Sequence, residues 1–432
     1  MDTEETKYTR VGVIGLGFVG LPLALLLNKK GFHVTGIDVS DAKINSLLKA
    51  TSYIDEIPNE SIKNALDSGR FTVTKNYNVV QSLGAIIICV PTPLTKYKTP
   101  DLSYIQDVAY NLYPHLTRGQ LVVLESSTFP GTTKEVLKPI LEKSNLGVGS
   151  DIFLCYSPER IDPGNKDMEV EDVPKVISGV TKSCSLKIKE LYSRIFNHTV
   201  VVSSTEVAEF CKLLENSFRY INISFINEMA LLSDRLNIDL WEVIDAASTK
   251  PYGFMPFYPG PGVGGHCIPV DPLYLSWKAK QAGIQTEFIH LADGINSQLT
   301  EYLTSQLKKN LSVHNLNNKN ILLYGLAYKK DISDYRESPS ISIMKELLKM
   351  GANVSFHDPF VSKLDIDGQE FQSVELTKDT LQQKDCIVIL TDHSAIPLDL
   401  IIENSSLIYD TRNITKNYKE KSNIIRLGSG SL

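Results

Sequence analysis

The glycine-rich turn near the start of the chain constrains its fold more than any other segment. An apolar, β-branched run at 11–15 leads through the motif GLGFVG at 15–20 into an apolar helical stretch at 21–30. A second strand at 32–37 and then Asp38 complete a βαβ unit. Strands of this composition are typical of parallel sheets whose two faces are both covered by helices.

Each residue type in this unit has a physical reason. Gly15 permits a tight turn, Gly17 lets the backbone approach a pyrophosphate, and Gly20 lets helix and strand pack closely. Val19 lies at the helix N-terminus, whose free N–H groups and positive dipole end attract phosphate. The unit therefore predicts a dinucleotide site. The structural alternative is a tight turn in a doubly wound sheet that binds no ligand.

The acid after the second strand indicates which dinucleotide binds. Asp38 can accept hydrogen bonds from the ribose hydroxyls and repels a 2′-phosphate, which favours NAD over NADP. Lys43, five residues further on, either reaches the same ribose or extends into solvent as an ordinary helix lysine.

Length and charge narrow the class of protein. At roughly 150 residues per domain, a chain of 432 residues predicts about three domains. The 44 Lys and Arg residues against 50 Asp and Glu give a net charge of −6, which argues against a general nucleic-acid binder. The apolar runs are too short for a membrane span, and the polar, acidic start predicts no secretory signal. We therefore expect a cytoplasmic enzyme with neither nucleic-acid nor membrane partners.

The cysteines indicate free thiols in a reducing compartment, because none has C-x-x-C spacing. We expect neither a disulfide framework nor a metal site. The six are Cys89, Cys155, Cys184, Cys211, Cys267 and Cys386. Four of them fall in predicted strands or in a predicted helix, where a cysteine behaves as a small inert hydrophobe.

Three further apolar runs each end in a polar, turn-rich loop. The runs are at 85–90, 121–124 and 152–155. Ligands of an open parallel sheet lie at the carboxyl ends of its strands, so these loops should line the cofactor crevice. Thr92 and Thr128 either hydrogen-bond the cofactor or substrate, or only shape their turns. Glu159 is a candidate acid, base or water-orienting group.

A long helix is predicted at 205–235, where Pro and Gly are absent and apolar residues recur at helical spacing. Lys212 and Asn216 are four residues apart and share a face. If buried, that polar face needs partners, whereas a solvated stripe is the alternative. The helix is apolar over most of its circumference, which predicts burial against a second subunit and at least a homodimer.

The segment at 257–272 carries the strongest chemical signal. Four glycines within six residues, at 260–265, suit a closely approached loop rather than a helix or strand. The loop delivers Cys267, with Asp271 four residues later. This thiol is nucleophilic if a cation such as Lys212 or His266 lowers its pKa, and a packed loop thiol is the alternative.

The last third predicts a second, smaller α/β domain. A strand at 321–324 ends at Gly325, a helix follows at 340–350, and more short strands come after it. The three-glycine fingerprint is absent, so we expect no second dinucleotide there. The Gly/Ser-rich end at 427–432 predicts disorder.

Several motifs in one order give the chain a specific resemblance. They are GLGFVG at 15–20, Ser127-Thr128, Ser157-Pro158-Glu159, Lys212 to Asn216, Gly264-Gly265-His266-Cys267, and Tyr328-Lys329-Lys330-Asp331 with Arg336-Glu337-Ser338. In this series the chain resembles the UDP-glucose/GDP-mannose dehydrogenase family. The resemblance implies two doubly wound Rossmann-like domains joined by a long central helix. The expected boundaries are 1–204 for NAD binding, 205–306 for the helical, dimerising part with the catalytic loop, and 307–432 for the UDP-sugar.

The resemblance also implies the reaction, a four-electron oxidation of a sugar-nucleotide C6 alcohol to a carboxylate with two NAD and no metal. Cys267 then forms a thiohemiacetal and a thioester. The resemblance assigns Lys212 and Asn216 to the oxyanions, Asp271 with a water and Thr128 to proton handling, and Glu159 to thioester hydrolysis. The resemblance leaves open which group acts as acid or base at each step among Asp271, Glu159 and Lys212.

The implied contacts form two sets. Those to the cofactor are Gly15, Gly17, Val19, Gly20, Asp38, Lys43, Thr92, Thr128 and Arg336. Those to the substrate are Glu159, Arg160, Lys212, Asn216, Arg219, Tyr258, Gly264, Tyr328, Lys329 and Arg412. A guanidinium such as Arg412 suits a diphosphate because it forks to two oxygens, although it is equally an ordinary surface arginine.

The loop around Cys267 points to the sugar. The glucose-specific branch typically has a Lys-Asp pair after the cysteine, whereas here Val270-Asp271 is followed by Pro272. This loop resembles the branch that oxidises UDP-N-acetylhexosamines, and Pro269 with 273–275 is more similar to UDP-N-acetylglucosamine enzymes. UDP-N-acetylmannosamine and UDP-glucose stay as alternatives.

Two rival functions stay open at this point. A single-step β-hydroxyacid dehydrogenase also pairs a Rossmann domain with a Lys-x-x-x-Asn helix, but it needs neither Cys267 nor a second α/β domain. A non-catalytic nucleotide-binding protein would have no use for Lys212, Asn216, Cys267 and Asp271 together.

Overall fold

Two sheets of mainly parallel strands, covered by helices, organise the protein. The structure is a computed structural model that describes residues 8–160, 168–265 and 267–430. It confirms the predicted α/β class with two Rossmann-like domains and a long central helix. His266, one of the two candidate cations for Cys267, lies outside the described residues.

The first sheet has eight strands. They are β1 (Arg10–Ile14), β2 (His33–Ile37), β3 (Phe71–Thr74), β4 (Ala85–Ile88), β5 (Leu121–Leu124), β6 (Phe153–Tyr156), β7 (Lys175–Gly179) and β8 (Thr199–Val201). Their order in the sheet is β3-β2-β1-β4-β5-β6-β7-β8. The helices between them are α1 (Gly20–Lys29), α2 (Asp41–Leu48), α3 (Asn59–Asp67), α4 (Ser103–Leu112), α5 (Lys138–Leu141) and α6 (Lys182–Tyr192), with a π-helical turn at Thr132–Leu137 and 3₁₀ turns at Tyr77–Ser82, Tyr113–His115, Glu142–Ser144 and Val170–Asp172.

The inner strands are continuously apolar because both faces of the sheet are covered. In β4, Ala85 and Ile87 belong to the core that includes α1, whereas Ile86 and Ile88 belong to the core that includes α4. All four side chains are fully buried. Successive side chains of a strand point to opposite faces, so a strand covered on both sides has no polar positions.

Strand β7 interrupts the parallel arrangement. It pairs antiparallel with β6, and Cys155 lies opposite Gly179. An antiparallel strand begins at the edge where its neighbour ends. Lys175, the first residue of β7, therefore lies at the edge where β6 ends. This strand was not among those predicted from the sequence.

The long helix is confirmed as α7 (Thr205–Leu236), which has 32 residues. One side of it is buried through Ala208, Leu213 and Tyr220. The helices that follow are α8 (Leu240–Ser248), α9 (Asp271–Gln281) and α10 (Glu287–Asn310).

The second sheet has five parallel strands and is smaller, as predicted. Its elements are β9 (Asn320–Tyr324), α11 (Pro339–Lys349), β10 (Asn353–His357), α12 (Lys378–Gln382), β13 (Cys386–Ile389), α13 (Leu398–Asn404), β14 (Ile408–Asp410) and β15 (Ile424–Arg426), with a hairpin of β11 (Lys363–Ile366) and β12 (Gln369–Gln372). The strand order is β10-β9-β13-β14-β15.

The prediction of disorder at 427–432 is wrong for the part that the structure describes. Leu427 is fully buried, and its carbonyl accepts a hydrogen bond from Trp241 Nε1 at 2.8 Å. The carbonyl of Gly428 accepts one from the backbone N–H of Leu240, also at 2.8 Å. Gly428 has φ +73°, so glycine at this position serves a turn that docks on α8 rather than a loose tail.

The chain divides by its internal contacts into two compact units. One comprises the residues up to Glu215 with Leu273–Gln285, and the other comprises Asn216–Pro272 with Thr286–Leu432. The functional boundaries at 204 and 306 stay predictions. Among the described residues, no helix combines the length and the apolar character that crossing a bilayer requires.

Candidate active site

The glycine turn after β1 has the geometry that a dinucleotide needs. Gly15 adopts φ +89°, and a Cβ at Gly20 would come within 1.8 Å of the Gly15 carbonyl oxygen. A Cβ at Gly17, by contrast, would meet nothing within 4 Å, so the backbone is open to a ligand there. No side chain in the described part of the chain caps the start of α1 at Val19. This uncapped helix start and the open backbone at Gly17 fit the pyrophosphate of NAD.

Asp38 is buried at the carboxyl end of β2 and faces the same turn. Its carboxylate accepts hydrogen bonds from the backbone N–H groups of Leu16 and Ser40, both at 2.9 Å. Lys43 Nζ lies 2.9 Å from Asp38 Oδ2. A carboxylate has about four acceptor positions, so these three bonds leave one for a ribose hydroxyl.

Thr92, in the loop after β4, is buried. Its carbonyl accepts a hydrogen bond from the hydroxyl of Tyr274 at 2.6 Å, and the carbonyl of Pro93 accepts a second at 3.0 Å. Tyr274 is fully buried on α9, a few residues after Asp271. This phenol therefore fixes the backbone of the Thr92 loop.

Thr128, in the loop after β5, is fully buried and held by a neighbouring hydroxyl. Its Oγ1 lies 2.6 Å from Oγ1 of Thr132, which donates its proton to the Phe129 carbonyl at 2.9 Å. Because a hydroxyl has one proton, Thr128 is the donor in the bond to Thr132. The lone pairs of Thr128 are then the side that a ligand or water can use.

Glu209 on α7 anchors this threonine loop. Its carboxylate accepts hydrogen bonds from Gly131 N at 2.6 Å, from Thr133 N at 2.9 Å and from the Thr133 hydroxyl at 2.7 Å. Burial raises the pKa of Glu209 to about 7, against the opposing effect of the bonds from Thr133 and Gly131. The loop that carries Thr128 is thus tied to the helix that carries Lys212.

Glu159, in the loop after β6, belongs to a buried ionic cluster. Its Oε1 accepts from the backbone N–H of Arg160 at 2.7 Å, and its Oε2 lies 2.8 Å from Lys175 Nζ. Lys175 also contacts Glu125 Oε2 at 2.9 Å. Arg160 pairs with Glu215 at 2.7 Å, so its guanidinium already has a protein partner.

Lys212 and Asn216 are buried one turn apart on α7, as their spacing predicts. Asn216 Nδ2 donates to Asp271 Oδ2 at 2.6 Å. The Asp271 N–H in turn donates to the Cys267 carbonyl at 2.9 Å. Asn216, Asp271 and the backbone of the cysteine loop therefore form one connected group, and this bond fixes the orientation of the Asn216 amide.

The glycine loop is closely approached by the residues predicted to bind substrate. A Cβ at Gly265, where φ is +90°, would lie 2.8 Å from the ring of Tyr328, and one at Gly260 would lie 2.6 Å from Arg412 Nη1. Asn227 on α7 fixes the loop by accepting from Gly260 N at 2.9 Å. At Gly265 the positive φ and the close ring leave no room for a side chain.

Cys267 is exposed, in contrast to the other five cysteines. Its charged form interacts with Arg336, whose pKa is raised by the hydrogen bond to Asp334 and further by the charges of Asp334, Tyr328 and Cys267. The Arg336 guanidinium therefore lies within electrostatic reach of Cys267. The resemblance had linked Arg336 to the cofactor alone.

The remaining predicted substrate residues differ in their surroundings. Tyr328 and Lys329 are half-buried after β9, and Arg412 Nε donates to the Leu390 carbonyl at 2.9 Å. Tyr258 is about half exposed and stacks on Trp241 with ring centroids 6.0 Å apart. Arg219 is exposed on α7.

Four buried residues of these sites were missed from the sequence. They are Glu125, Lys175, Glu209 and Tyr274. Glu209 had a usable signal, because it lies three residues before Lys212 on the same helical face. Lys175 had none, since its partners are 16 and 50 residues away and its strand was not predicted.

The open glycine turn and the acid after β2 are features of a dinucleotide-binding domain, and the sequence matches establish an NAD-dependent dehydrogenase as the class. Three family models match in sequence: the NAD binding domain at residues 9–196, the central domain at 206–298 and the UDP binding domain at 322–417. The chain belongs to the UDP-glucose/GDP-mannose dehydrogenase family, whose members oxidise nucleotide sugars with NAD.

Two named relatives align with 83% and 95% of the chain. UDP-N-acetyl-D-glucosamine 6-dehydrogenase of Pseudomonas aeruginosa is 38% identical over 364 residues, 83% of this chain and 85% of that protein. UDP-N-acetyl-D-mannosamine dehydrogenase of Methanococcus vannielii is 32% identical over 95% of this chain and 94% of its own. The solved UDP-D-ManNAc dehydrogenase of Pyrococcus horikoshii superposes with a TM-score of 0.88 at 30% identity, covering 98% and 100% of the two chains.

The two glycines with opposite surroundings give a matched test of the cofactor site. Gly17→Ala should leave the unfolding temperature unchanged, because its Cβ enters open space, yet weaken NAD binding at least tenfold, about 1.4 kcal/mol. Gly20→Ala should lower the unfolding temperature as well, since its Cβ overlaps the Gly15 carbonyl. Thermal unfolding without NAD and fluorescence titration with NAD measure both. Wild-type affinity in Gly17→Ala would contradict the assignment.

Glu209 should make stability depend on pH. Its folded pKa of about 7 lies above the unfolded value of about 4.3, so its contribution is complete below about pH 4 and is lost as pH rises through 7. Glu209→Gln cannot titrate. Between pH 5 and 8 we expect wild type to lose on the order of 3 kcal/mol of unfolding free energy relative to this variant, measured by urea unfolding. Parallel pH profiles for the two proteins would overturn the prediction.

Proposed function

We propose that this enzyme oxidises the C6 hydroxyl of a UDP-N-acetylhexosamine to the carboxylate, for surface polysaccharide biosynthesis. The observation that carries the proposal is the glycine loop, which presents an exposed Cys267 beside Asp271 and Asn216. UDP-N-acetyl-D-glucosamine is the preferred substrate. The sequence 269–275 and the 38% identical relative of that name support it. The relatives named for UDP-N-acetylmannosamine make that epimer the first alternative, and UDP-glucose is the second.

The cofactor residues are proposed from the geometry of the glycine turn and from the family resemblance. NAD, when bound, accepts hydride, and two such oxidations are needed for each sugar. Gly15, Gly17, Val19 and Gly20 would hold the pyrophosphate, while Asp38 with Lys43 would hold the ribose. The remaining proposed contacts are Thr92, Thr128 and Arg336.

Cys267 keeps the aldehyde of the first oxidation on the enzyme. Its thiolate adds to C6, a C–S bond forms, and the carbonyl oxygen takes a proton to give a thiohemiacetal. The second oxidation leaves a thioester. Water then attacks the thioester carbonyl, the C–S bond breaks, the thiolate returns and the carboxylate is released.

Charged and amide groups stabilise the oxyanions of these steps. The Lys212 ammonium and the free N–H of the Asn216 amide donate to the developing negative charge, which in a closed site is worth several kcal/mol. Asp271 with a bound water, together with Thr128, handles the proton of the first oxidation. Glu159 takes the proton of the hydrolytic water.

The substrate is held mainly by residues outside the first sheet. Arg412, which the glycine loop approaches at Gly260, suits a diphosphate because its guanidinium forks to two oxygens. The other proposed substrate contacts are Glu159, Arg160, Lys212, Asn216, Arg219, Tyr258, Gly264, Tyr328 and Lys329. The corresponding functional domains are 1–204 for NAD, 205–306 for the central helix and catalytic loop, and 307–432 for the uridine nucleotide.

Counting NADH tests the reaction against the single-step rival. UDP-glucose, UDP-N-acetylglucosamine, UDP-N-acetylmannosamine and GDP-mannose are each oxidised to completion while NADH is measured at 340 nm. We expect two NADH per sugar and the highest rate with UDP-N-acetylglucosamine. Cys267→Ala should lose net NADH production while NAD still binds, because the aldehyde is no longer trapped. One NADH per sugar, or near-normal turnover in Cys267→Ala, would refute the thioester route.

We also propose that the chain forms at least a homodimer through α7. One narrow stripe of this helix carries exposed apolar side chains that recur every three, four or seven residues. They are Val207, Phe210, Leu214, Phe218, Phe225, Leu232 and Leu236. Positions with this spacing fall on one side of a helix, as in helix–helix seams. A second copy of the helix is the occupant that this stripe fits.

Light scattering tests the dimer. Wild type should give at least twice the 48.1 kDa of one chain at micromolar concentration. Phe225→Asp should give the single-chain mass, because a charge in the seam loses its hydration. Leu186→Asp, an equally exposed leucine on α6, is the control and should leave the mass unchanged. A monomeric wild type would contradict the proposal.

A further inference from the structure

The proposed water-activating carboxylate has a partner that the sequence did not reveal. Lys175 Nζ lies 2.8 Å from Glu159 Oε2 and 2.9 Å from Glu125 Oε2. Lys175 is 2% exposed and Glu125 is 1% exposed. Two carboxylates thus share one buried ammonium, an arrangement that costs desolvation energy and adds little to stability unless every charge is paired.

The reversed direction of β7 is what brings this lysine to the edge where β6 ends. Glu125 follows β5 and Glu159 follows β6, so both carboxylates lie at the carboxyl edge of the parallel strands. A lysine at the start of a parallel strand would lie at the opposite edge. Because β7 is antiparallel to β6, Lys175 starts where the two acids are.

The side chains around the ammonium hold it in place. The Tyr192 hydroxyl donates a hydrogen bond to Glu125 Oε1, and the Phe196 ring lies with its centroid 5.1 Å from Lys175 Nζ. The ammonium therefore contacts two acids and lies close to an aromatic ring. Glu159 is fixed through both oxygens, one by Lys175 and one by Arg160 N.

The charges assign the protons within the cluster. The two acids raise the pKa of Lys175 above its ordinary value despite its burial, so this lysine stays protonated and cannot serve as a base. Burial raises the pKa of Glu125, while Lys175 opposes that rise. Without the ammonium, the buried Glu125 and the partly buried Glu159 would be two neighbouring carboxylates, which favours protonation of one of them.

We propose that Lys175 is a positioning residue that keeps Glu159 ionised and aimed, so that Glu159 can accept the proton of the water that hydrolyses the thioester. This inference rests on the proposed role of Glu159. Lys175 needs no contact with sugar or thiol for this role, because it acts only through the Glu159 carboxylate.

Stopped-flow measurement of Lys175→Met tests the inference, with the nucleotide sugar that gives the highest rate in the NADH assay. We expect a rapid burst of two NADH per subunit, because both oxidations precede hydrolysis. Steady-state turnover should then be about 100-fold slower than in wild type. The acidic limb of its pH profile should move upward by about one unit, since Glu159 has lost its cation.

Hydroxylamine separates this effect from a general structural defect. It attacks thioesters without help from a base, so it should restore steady-state NADH release in Lys175→Met. Lys187→Met, which removes an exposed lysine paired with Glu190, is the control and should behave as wild type. A Lys175→Met enzyme that turns over normally, or that is slow without a burst and without rescue, would overturn the inference.

Two more variants keep the test decisive. Glu125→Gln leaves the whole ammonium to Glu159, so its acidic limb should move downward, and an unmoved limb would contradict the inference even if Lys175→Met does not fold. Glu159→Gln should show the burst and the hydroxylamine rescue. Full turnover in Glu159→Gln defeats the proposed role of Glu159 itself, whereas an impaired Glu159→Gln beside a normal Lys175→Met defeats only the role of Lys175.

Discussion

The parallel strands of the first sheet impose one constraint on which its chemistry depends: they all end at the same edge. The turn of Gly15 and Gly17 follows β1, Asp38 follows β2, and Glu159 follows β6. The three loops are separated by 20 or more residues in sequence, but strand pairing places them along one edge of the sheet. Strand β7 runs in the opposite direction to β6, so it begins at the edge where β6 ends. Its first residue, Lys175, therefore lies at the same edge as these loops.

Strands and helices could be predicted from the sequence because their patterns are local. Contacts between residues far apart in the chain could not. The predicted strand at 121–124 coincides with β5, and the long helix at 205–235 differs from α7 by one residue, because apolar periodicity and missing helix breakers are local properties. The end at 427–430 was misjudged from its glycines and serines, since the burial of Leu427 against Trp241 depends on residues far along the chain. The Lys175 cluster is non-local for the same reason. The pairing of Asn216 with Asp271 spans 55 residues, so the sequence supplied both side chains but not their contact.

The turns after the first strand of each sheet are similar but differ in the room that they leave for a ligand. Asp358 follows β10 as Asp38 follows β2, and each accepts a hydrogen bond from a backbone N–H of the turn after the first strand of its sheet. Asp358 accepts four backbone bonds in all, from Leu326, Ala327, Phe360 and Val361, and lies 3.2 Å from His393. These partners use its acceptor positions, whereas Asp38 keeps one. In the second sheet the acceptor positions of the acid are therefore occupied, and Ala327 stands where the first turn has the open Gly17.

Helix α7 places three polar side chains at helical spacing. Glu209 and Lys212 are three residues apart and Asn216 follows four residues later, so all three lie on one side of the helix. The Glu209 carboxylate binds the backbone of the Thr128 loop rather than a ligand. Because Glu209 holds the Thr128 loop against α7, the rigid helix fixes the distance from that loop to Lys212. A flexible loop alone could not hold the Thr128 hydroxyl at a fixed distance from the Lys212 ammonium.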